Sequence, residues 1–585
     1  MENFLLDNED ILFHLEHLDL DQIIKLREEN FSQAKQFAHA PKDLDDAREN
    51  YRMILSIIGG IAGGFVAPNA PAVDEAGPTL DLAKNEVTLH PATKKALDMM
   101  AQADMMGFGV PRQYGGLNMP DIILSIAAEI LSRADGSFLN FGLQQDIALT
   151  INKFASEEQK QAYLPKLCSG EWDSSMILTE PDAGSDLQAV NVKAVQGEDG
   201  KWYLSGVKRF ITNGCGTIGL VLARSEESKG ARGLSFFIYK RDEKMIIRRL
   251  EHKLGIHGSP TCELQFNNAS AELLGERQRG LTKYTLWLMN NARLGVAAQA
   301  VGIAEAAYRE ANLYASKRIQ FGAPIRDLPP VFELLTEMKV AIEAGRSLLY
   351  ETSRFVDLKE GLEEYCEKHP DEKGEIIEEK KKYTKLANLF TPVVKAYTTE
   401  TANKVSYDGL QIHGGTGYMK EFNAERHFRD ARITNIYEGT TQLQIVAAIG
   451  PVTSGVAQSI LDEYDNTKYT HSPALLEKIR ECRKIYEECL EYIKSYKDDV
   501  KEVSQQAAVQ PVAGQFLTYH SRRLVEMATD LILSYLLMRD GNHSERKQKV
   551  AEIFITKMSS RIKANREFIM SESGTLLKNY NMVIR

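Results

Sequence analysis

Three stretches of the chain concentrate residue types that can do chemistry. In the first, Leu178-Thr179-Glu180-Pro181-Asp182-Ala183-Gly184-Ser185-Asp186 is followed by Phe210-Ile211-Thr212-Asn213-Gly214. In the second, Arg293 and Gly302 precede Arg318-Ile319-Gln320-Phe321-Gly322. In the third, Gln411-Ile412-His413-Gly414-Gly415-Thr416-Gly417 leads to Arg429-Asp430-Ala431-Arg432 and Ile436-Tyr437-Glu438-Gly439-Thr440-Thr441-Gln442. A turn glycine such as Gly184 lets backbone approach a ligand and aim N–H groups at anionic oxygen. An arginine offers forked donors to phosphate or carboxylate. A carboxylate in a dry pocket is a stronger base than one in water. Taken singly, each stretch also has a plain structural meaning: a turn, a helix interruption, a solvated carboxylate.

Other patterns carry less. Gly59-Gly60-Ile61-Ala62-Gly63-Gly64 has no preceding strand, which a dinucleotide fingerprint needs. Gly197-Glu198-Asp199-Gly200-Lys201 reads as a hairpin turn. The six cysteines form no CxxC pair, and no Glu/His helix motif offers a metal site. The compartment therefore reads as reducing, with the cytoplasm as the expected location, and the acidic N-terminus has no basic region of a signal peptide. A net charge of −10 gives no global attraction to nucleic acid or anionic membrane. Met53–Val73 is uncharged, but its apolar part ends near Ala67, short of a span. A buried helix making close backbone contacts through its glycines is expected there.

The elements that must position these residues read as a predominantly helical α+β chain. With 585 residues, three to five folding units are the prior. Residues 1–172 read as a helical domain, with helices at Thr93–Met106 and Met119–Arg133, a loop at Pro111–Gly116 and a capping box at Ser156–Gln159. Residues 173–280 read as an antiparallel β-domain, with runs at Ala189–Val195, Trp202–Leu204, Phe210–Thr212, Leu220–Ala223, Leu234–Tyr239 and Glu263–Phe266. Residues 281–450 return to long helices at Leu281–Lys317, Pro330–Leu358 and Lys381–Tyr407. Residues 451–585 read as an appended helical domain.

In this order, the three stretches closely resemble the acyl-CoA dehydrogenase family over roughly residues 90–450, and the helical tail resembles that of its larger members. The resemblance implies an N-terminal helical domain, a central β-domain, a four-helix bundle, and FAD bound between the last two. It implies that Leu178, Thr179, Gly184 and Ser185 line the flavin and its phosphates. Thr212 then bonds the flavin, and Phe210 stands where many relatives carry Trp. Arg318, Gln320 and Phe321 match a segment that meets the FAD diphosphate of a neighbouring subunit, and Gln411, Gly414 and Gly415 match one at its adenosine half. Thr440 and Gln442 complete the FAD site. Glu438 is implied as the base that removes the alpha proton of an acyl-CoA thioester while hydride leaves the beta carbon for flavin. The thioester is polarised by the flavin ribityl hydroxyl and the base residue's own N–H. Ser185, Asn290, Arg293, Tyr437 and Gly439 are implied to contact substrate. Some relatives place the base one residue before Arg293; Ala292 stands there and cannot accept a proton.

The family's glutaryl-oxidising members carry an arginine in the helix-turn matching Asp135–Gln144, where Leu139 aligns. Asp182 replaces a glycine common in relatives, consistent with turn chemistry. An electron-transfer flavoprotein is the implied acceptor and a homodimer the implied assembly, with a tetramer as the variant. Two alternatives share the motifs: an oxidase using oxygen, and a catalytically silent binding or assembly protein on the same fold.

Overall fold

The computed structural model describes residues 2–142, 145–371, 374–496, 515–572 and 574–584. The N-terminal third is helical, from Glu9–His17 to Glu157–Cys168, apart from a two-stranded hairpin at Thr79–Asp81 and Glu86–Thr88. Leu44–Ile61 continues through a π-turn, Ala62–Val66, into Ala67–Ala76, so the glycines and prolines do not end the helix. Pro68 directly follows the π-turn, and Pro71 lies inside Ala67–Ala76, so the helix carries both prolines. By length and composition Leu44–Ala76 could cross a bilayer, but half of its apolar window is buried. The glycines make the close contacts expected of them. A Cβ on Gly59 would meet Leu5 N at 2.8 Å, and one on Gly63 would meet Glu2 O at 2.6 Å. Ser156 and Gln159 form the reciprocal capping box.

The strands are β1 Thr79–Asp81, β2 Glu86–Thr88, β3 Ser174–Ile177, β4 Lys193–Gln196, β5 Trp202–Thr212, β6 Ile218–Arg224, β7 Leu234–Lys240, β8 Met245–Leu250, β9 Thr261–Leu273, β10 Ile319–Gln320 and β11 Ala323–Pro324. Seven of them form one sheet in the order β3-β6-β4-β5-β9-β7, with β8 on β9 and a further β6–β7 pairing that brings the path back on itself. The sheet is antiparallel except that β3 runs parallel to β6 and a single parallel pair joins β4 to β6. The runs expected at Trp202–Leu204 and Phe210–Thr212 are the two ends of one strand. A register shift between Lys208 and Ile211 bulges it, turning Phe210 out with φ +60° and half its surface exposed. Strand β8 was not foreseen; its Met245 and Ile247 face the sheet's core.

Leu286–Lys317, Pro329–Lys368, Glu375–His413 and Thr441–Thr453 form the helical body that carries the third stretch, joined by the shorter Ala424–Thr434. The β-domain is pinned to it where Ile256 N–H donates to Asp430, and the N-terminal helix Ala67–Ala76 where Asp74 pairs with Arg429. The appended region contributes Pro473–Ser495, Gln515–Gly541 and Glu545–Glu567. It joins the body through a buried ion network. Arg346 pairs with Asp10, Glu129 and Glu305, and Lys547 bridges Asp10 and Glu343.

Candidate active site

Glu438 stands in the turn between Ala424–Thr434 and Thr441–Thr453. It takes a left-handed backbone, φ +53°, followed by Gly439 at +89°. Such a conformation costs a non-glycine residue on the order of 1–3 kcal/mol and persists only where surroundings enforce it. The enforcement is visible in the carbonyls. Lys395 Nζ donates to Tyr437 O at 2.8 Å and Gly439 O at 2.6 Å. Gln444 Nε2 donates to Gly439 O at 3.0 Å and Glu438 O at 3.3 Å. The N–H of Glu438 has no partner among the described residues. The Tyr437 hydroxyl donates inward to Gln299, whose Nε2 in turn donates to Gly136 O at 2.7 Å. The helical N-terminal region thereby braces the turn.

Burial raises the Glu438 pKa above the ordinary carboxylate value, while the charges of Lys395 and Arg293 pull it down. Asp146, on the helix Gln145–Phe154, is pushed up to about 8 by burial and then by the Glu438 charge. Arg293 Nη1 donates to Asn290 Oδ1 at 2.9 Å, and burial lowers the Arg293 pKa. Arg293 Nε and Asn291 Nδ2 are buried with no partner among the described residues. They border a cavity of about 220 Å³ whose walls include Asn290, Lys359, Asn388 and Pro451. Donors left idle beside a cavity suit a ligand rich in acceptor atoms. Asn290, Arg293, Tyr437, Glu438 and Gly439 are thus gathered in one place. Lys395, Gln299, Gln444 and Asp146 join them unforeseen.

The turn of the first stretch closes by paired bonds between Glu180 and Ala183. The Glu180 carboxylate accepts from Asn191 N–H at 2.7 Å, Val192 N–H at 2.9 Å and the buried Lys208 Nζ at 2.9 Å. Lys208 also donates to the carbonyls of Leu178 and Leu222. Gly184 and Ser185 are exposed, and a Cβ on Gly184 would meet nothing nearer than Thr179 Cγ2 at 3.9 Å. Thr212 is half-buried at the end of β5, near the exposed Phe210. This face has open space, hydroxyls and the exposed Phe210 ring, over which the Arg209 guanidinium lies at 4.6 Å, and these fit a flat aromatic cofactor.

Arg318, Gln320 and Phe321 lie on the exposed β10–β11 hairpin, with Phe321 93% exposed. The Arg318 guanidinium has no partner among the described residues. Tyr314 stacks on His413 at 4.5 Å and its hydroxyl meets Thr416 at 2.9 Å, bringing the hairpin beside Gln411, Gly414 and Gly415. Those three are also exposed, and a Cβ on either glycine would meet nothing within 4 Å. Unpaired guanidinium donors and bare glycine backbone fit a diphosphate. Thr440 caps Thr441–Thr453 by accepting from Leu443 N–H, which occupies its hydroxyl oxygen, and Gln442 is exposed. Leu139 begins the short helix Leu139–Gly142; residues 143 and 144 lie outside the described residues.

Comparison with known proteins agrees with this layout. The acyl-CoA dehydrogenase N-terminal domain matches residues 52–171, the middle domain 175–269 and the C-terminal domain 294–442. A further acyl-CoA dehydrogenase C-terminal model matches 453–573. The 3-methylmercaptopropionyl-CoA dehydrogenase of Ruegeria pomeroyi is 34% identical over 473 residues, 75% of each chain. A chain from structural work on the electron-transferring flavoprotein of Acidaminococcus fermentans is 32% identical, with a TM-score of 0.58 over 68% of this chain and 96% of that one. An acyl-CoA dehydrogenase of Bacillus anthracis complexed with FAD shares the fold over 92% of both chains, at a TM-score of 0.72 and 22% identity. The chain belongs to the acyl-CoA dehydrogenase family and is an FAD-dependent oxidoreductase of that type.

Proposed function

We propose that the chain dehydrogenates an acyl-CoA thioester between its alpha and beta carbons, with Glu438 as the base. The carrying observation is the Glu438 turn: a desolvated carboxylate, held in a strained conformation by three carbonyl clamps, beside its own unpartnered N–H. Glu438 takes the alpha proton, and its N–H donates to the thioester carbonyl where negative charge develops. Arg293 and Asn290 contact the CoA moiety, with Ser185, Tyr437 and Gly439 completing the substrate contacts. Because the Tyr437 hydroxyl is engaged with Gln299, its contribution comes from the ring and backbone. FAD, when bound, supplies the acceptor for the hydrogen that leaves the beta carbon with two electrons.

Leu178, Thr179, Gly184, Ser185, Phe210 and Thr212 would hold the flavin from the β-domain. Thr440 and Gln442 would complete that site. Arg318, Gln320, Phe321, Gln411, Gly414 and Gly415 would serve the FAD of a second copy, which accounts for their exposure and makes a homodimer the smallest active unit. Electrons pass on to an electron-transfer flavoprotein; the likeness to the Acidaminococcus fermentans chain supports that acceptor. Leu139 in place of an arginine disfavours acyl groups bearing a free carboxylate. The test is anaerobic mixing of the yellow protein with an acyl-CoA panel. Neutral acyl-CoAs bleach the flavin and glutaryl-CoA does not; turnover should need an added electron acceptor. Rapid peroxide production in air would favour an oxidase, and no bleaching by any acyl-CoA would contradict the proposal.

A further inference from the structure

Lys395 is a lysine with no exposed surface in the middle of the long helix Glu375–His413. Its neighbours along the chain, Val393 and Val394, are buried core residues, so nothing local accounts for a charge there. Its ammonium reaches across to the catalytic turn and spends two donors on the carbonyls on either side of Glu438, at 2.8 and 2.6 Å. A buried ammonium must be paired or hydrogen-bonded to be tolerated, and here backbone oxygens take the place of a contacting carboxylate. The charged groups it feels are Glu438 from the turn, Arg293 from Leu286–Lys317 and Glu400 from its own helix. Burial and Arg293 disfavour its charge, while Glu438 and Glu400 favour it.

Building on Glu438 as the base, we propose that Lys395 is a positioning residue for that base. By tying Tyr437 O to Gly439 O it holds Glu438 in its left-handed conformation, and its positive charge keeps the carboxylate ionised while substrate excludes water. Gln444 secures the same turn through Glu438 O and Gly439 O but brings no charge. The two clamps therefore have separable effects. Losing Gln444 loosens geometry, whereas losing Lys395 loosens geometry and also raises the proton affinity of Glu438.

The test compares the FAD-loaded full-length protein with Lys395→Met, Lys395→Gln, Lys395→Arg and Glu438→Gln, reading flavin content, acyl-CoA binding and the pH dependence of flavin reduction. Lys395→Met should load FAD and bind acyl-CoA near normally. Its reduction rate should fall by roughly 10- to 100-fold, the scale of a misplaced catalytic group. The acid limb of its pH profile should move up by about one pH unit, because an opposing charge near the carboxylate is gone. Lys395→Arg, still charged, should return the limb towards the parent position. If Lys395→Met does not take up FAD, Lys395→Gln carries the test, since its amide donates to a carbonyl without a charge. An unmoved limb in the uncharged variants overturns the inference, even where stability or FAD content drops. That outcome differs from failure of the base assignment, in which Glu438→Gln itself reduces flavin at the parent rate.

Discussion

At the residue scale the site sets two titrating groups against each other. Glu438 must be ionised to accept a proton, and burial holds its pKa above the ordinary carboxylate value. Flavin reduction should therefore rise with pH along a limb displaced upward from that of a solvated carboxylate, which a stopped-flow pH series measures. Asp146 sits at about 8, so the folded chain keeps a proton that the unfolded chain has released. A raised carboxyl pKa costs stability increasingly as pH climbs from the ordinary carboxylate range towards 8. Asp146→Asn should then raise the melting temperature more at pH 8 than at pH 5; an equal shift at both would contradict the raised pKa of Asp146. Glu438 was legible in the sequence because Ile436–Gln442 is a distinctive string. Lys395, Gln299 and Gln444 were not, since each sits in an ordinary helical run and acts through backbone or side-chain atoms distant in sequence. The one signal available for Lys395 was a charge interrupting the apolar run from Phe390 to Tyr397.

At the scale of elements, the first stretch is a turn that depends on a carboxylate read only as part of a motif. Glu180 satisfies two backbone N–H groups and the buried Lys208, which in turn fixes the Leu178 carbonyl. Glu180→Ala leaves the buried Lys208 ammonium without its counter-ion, held only by the carbonyls of Leu178 and Leu222, a change worth up to about 3–5 kcal/mol in comparable pairs. It should lower both the melting temperature and the flavin absorbance per chain. A variant that keeps full FAD at a parent melting temperature would show that the turn holds itself. Strands β6 and β7 were legible as continuous apolar runs, whereas the run expected at Ala189–Val195 is strand only from Lys193, after a 3-10 turn at Leu187–Ala189. The interior of β5 was not legible, because its bulge at Arg209–Phe210 breaks the period-two pattern. The helix at Leu44–Ala76 outran its apolar core: the π-turn at Ala62–Val66 carries it past Pro68, and Pro71 lies within it.

At the scale of the molecule, the order of helical, β, helical and further helical regions was written in the texture of the chain. The bonds between the first and last of them were not. Asp10 and Lys547 meet near the fully buried Arg346, and no local pattern announces a pair so distant in sequence. Arg346→Met strands the buried Glu129 without a cation, leaving Asp10 to Lys547 and Glu305 to Arg309, and should cost about 3–5 kcal/mol, seen as a lower melting temperature. Removing residues after 452 takes Lys547 and Arg546 from Asp10 and Glu343, so the shortened chain should melt earlier than the full one. The exposed hairpin with Arg318 and Phe321 predicts that the flavin-loaded protein scatters light as a dimer or larger. A fully flavinated, active monomer would remove the shared-site explanation.

The most direct measurement is the rate of flavin reduction by acyl-CoA in Glu438→Gln. The amide keeps the shape of the side chain and removes the base. FAD content and acyl-CoA binding should stay near the parent values while reduction falls by at least roughly 10²–10⁴, the usual worth of a positioned general base. Glu438→Asp, with a carboxylate set back by one methylene, should keep more activity than Glu438→Gln. Reduction of Glu438→Gln at close to the parent rate would contradict the assignment and send the search for the base elsewhere in the acyl pocket.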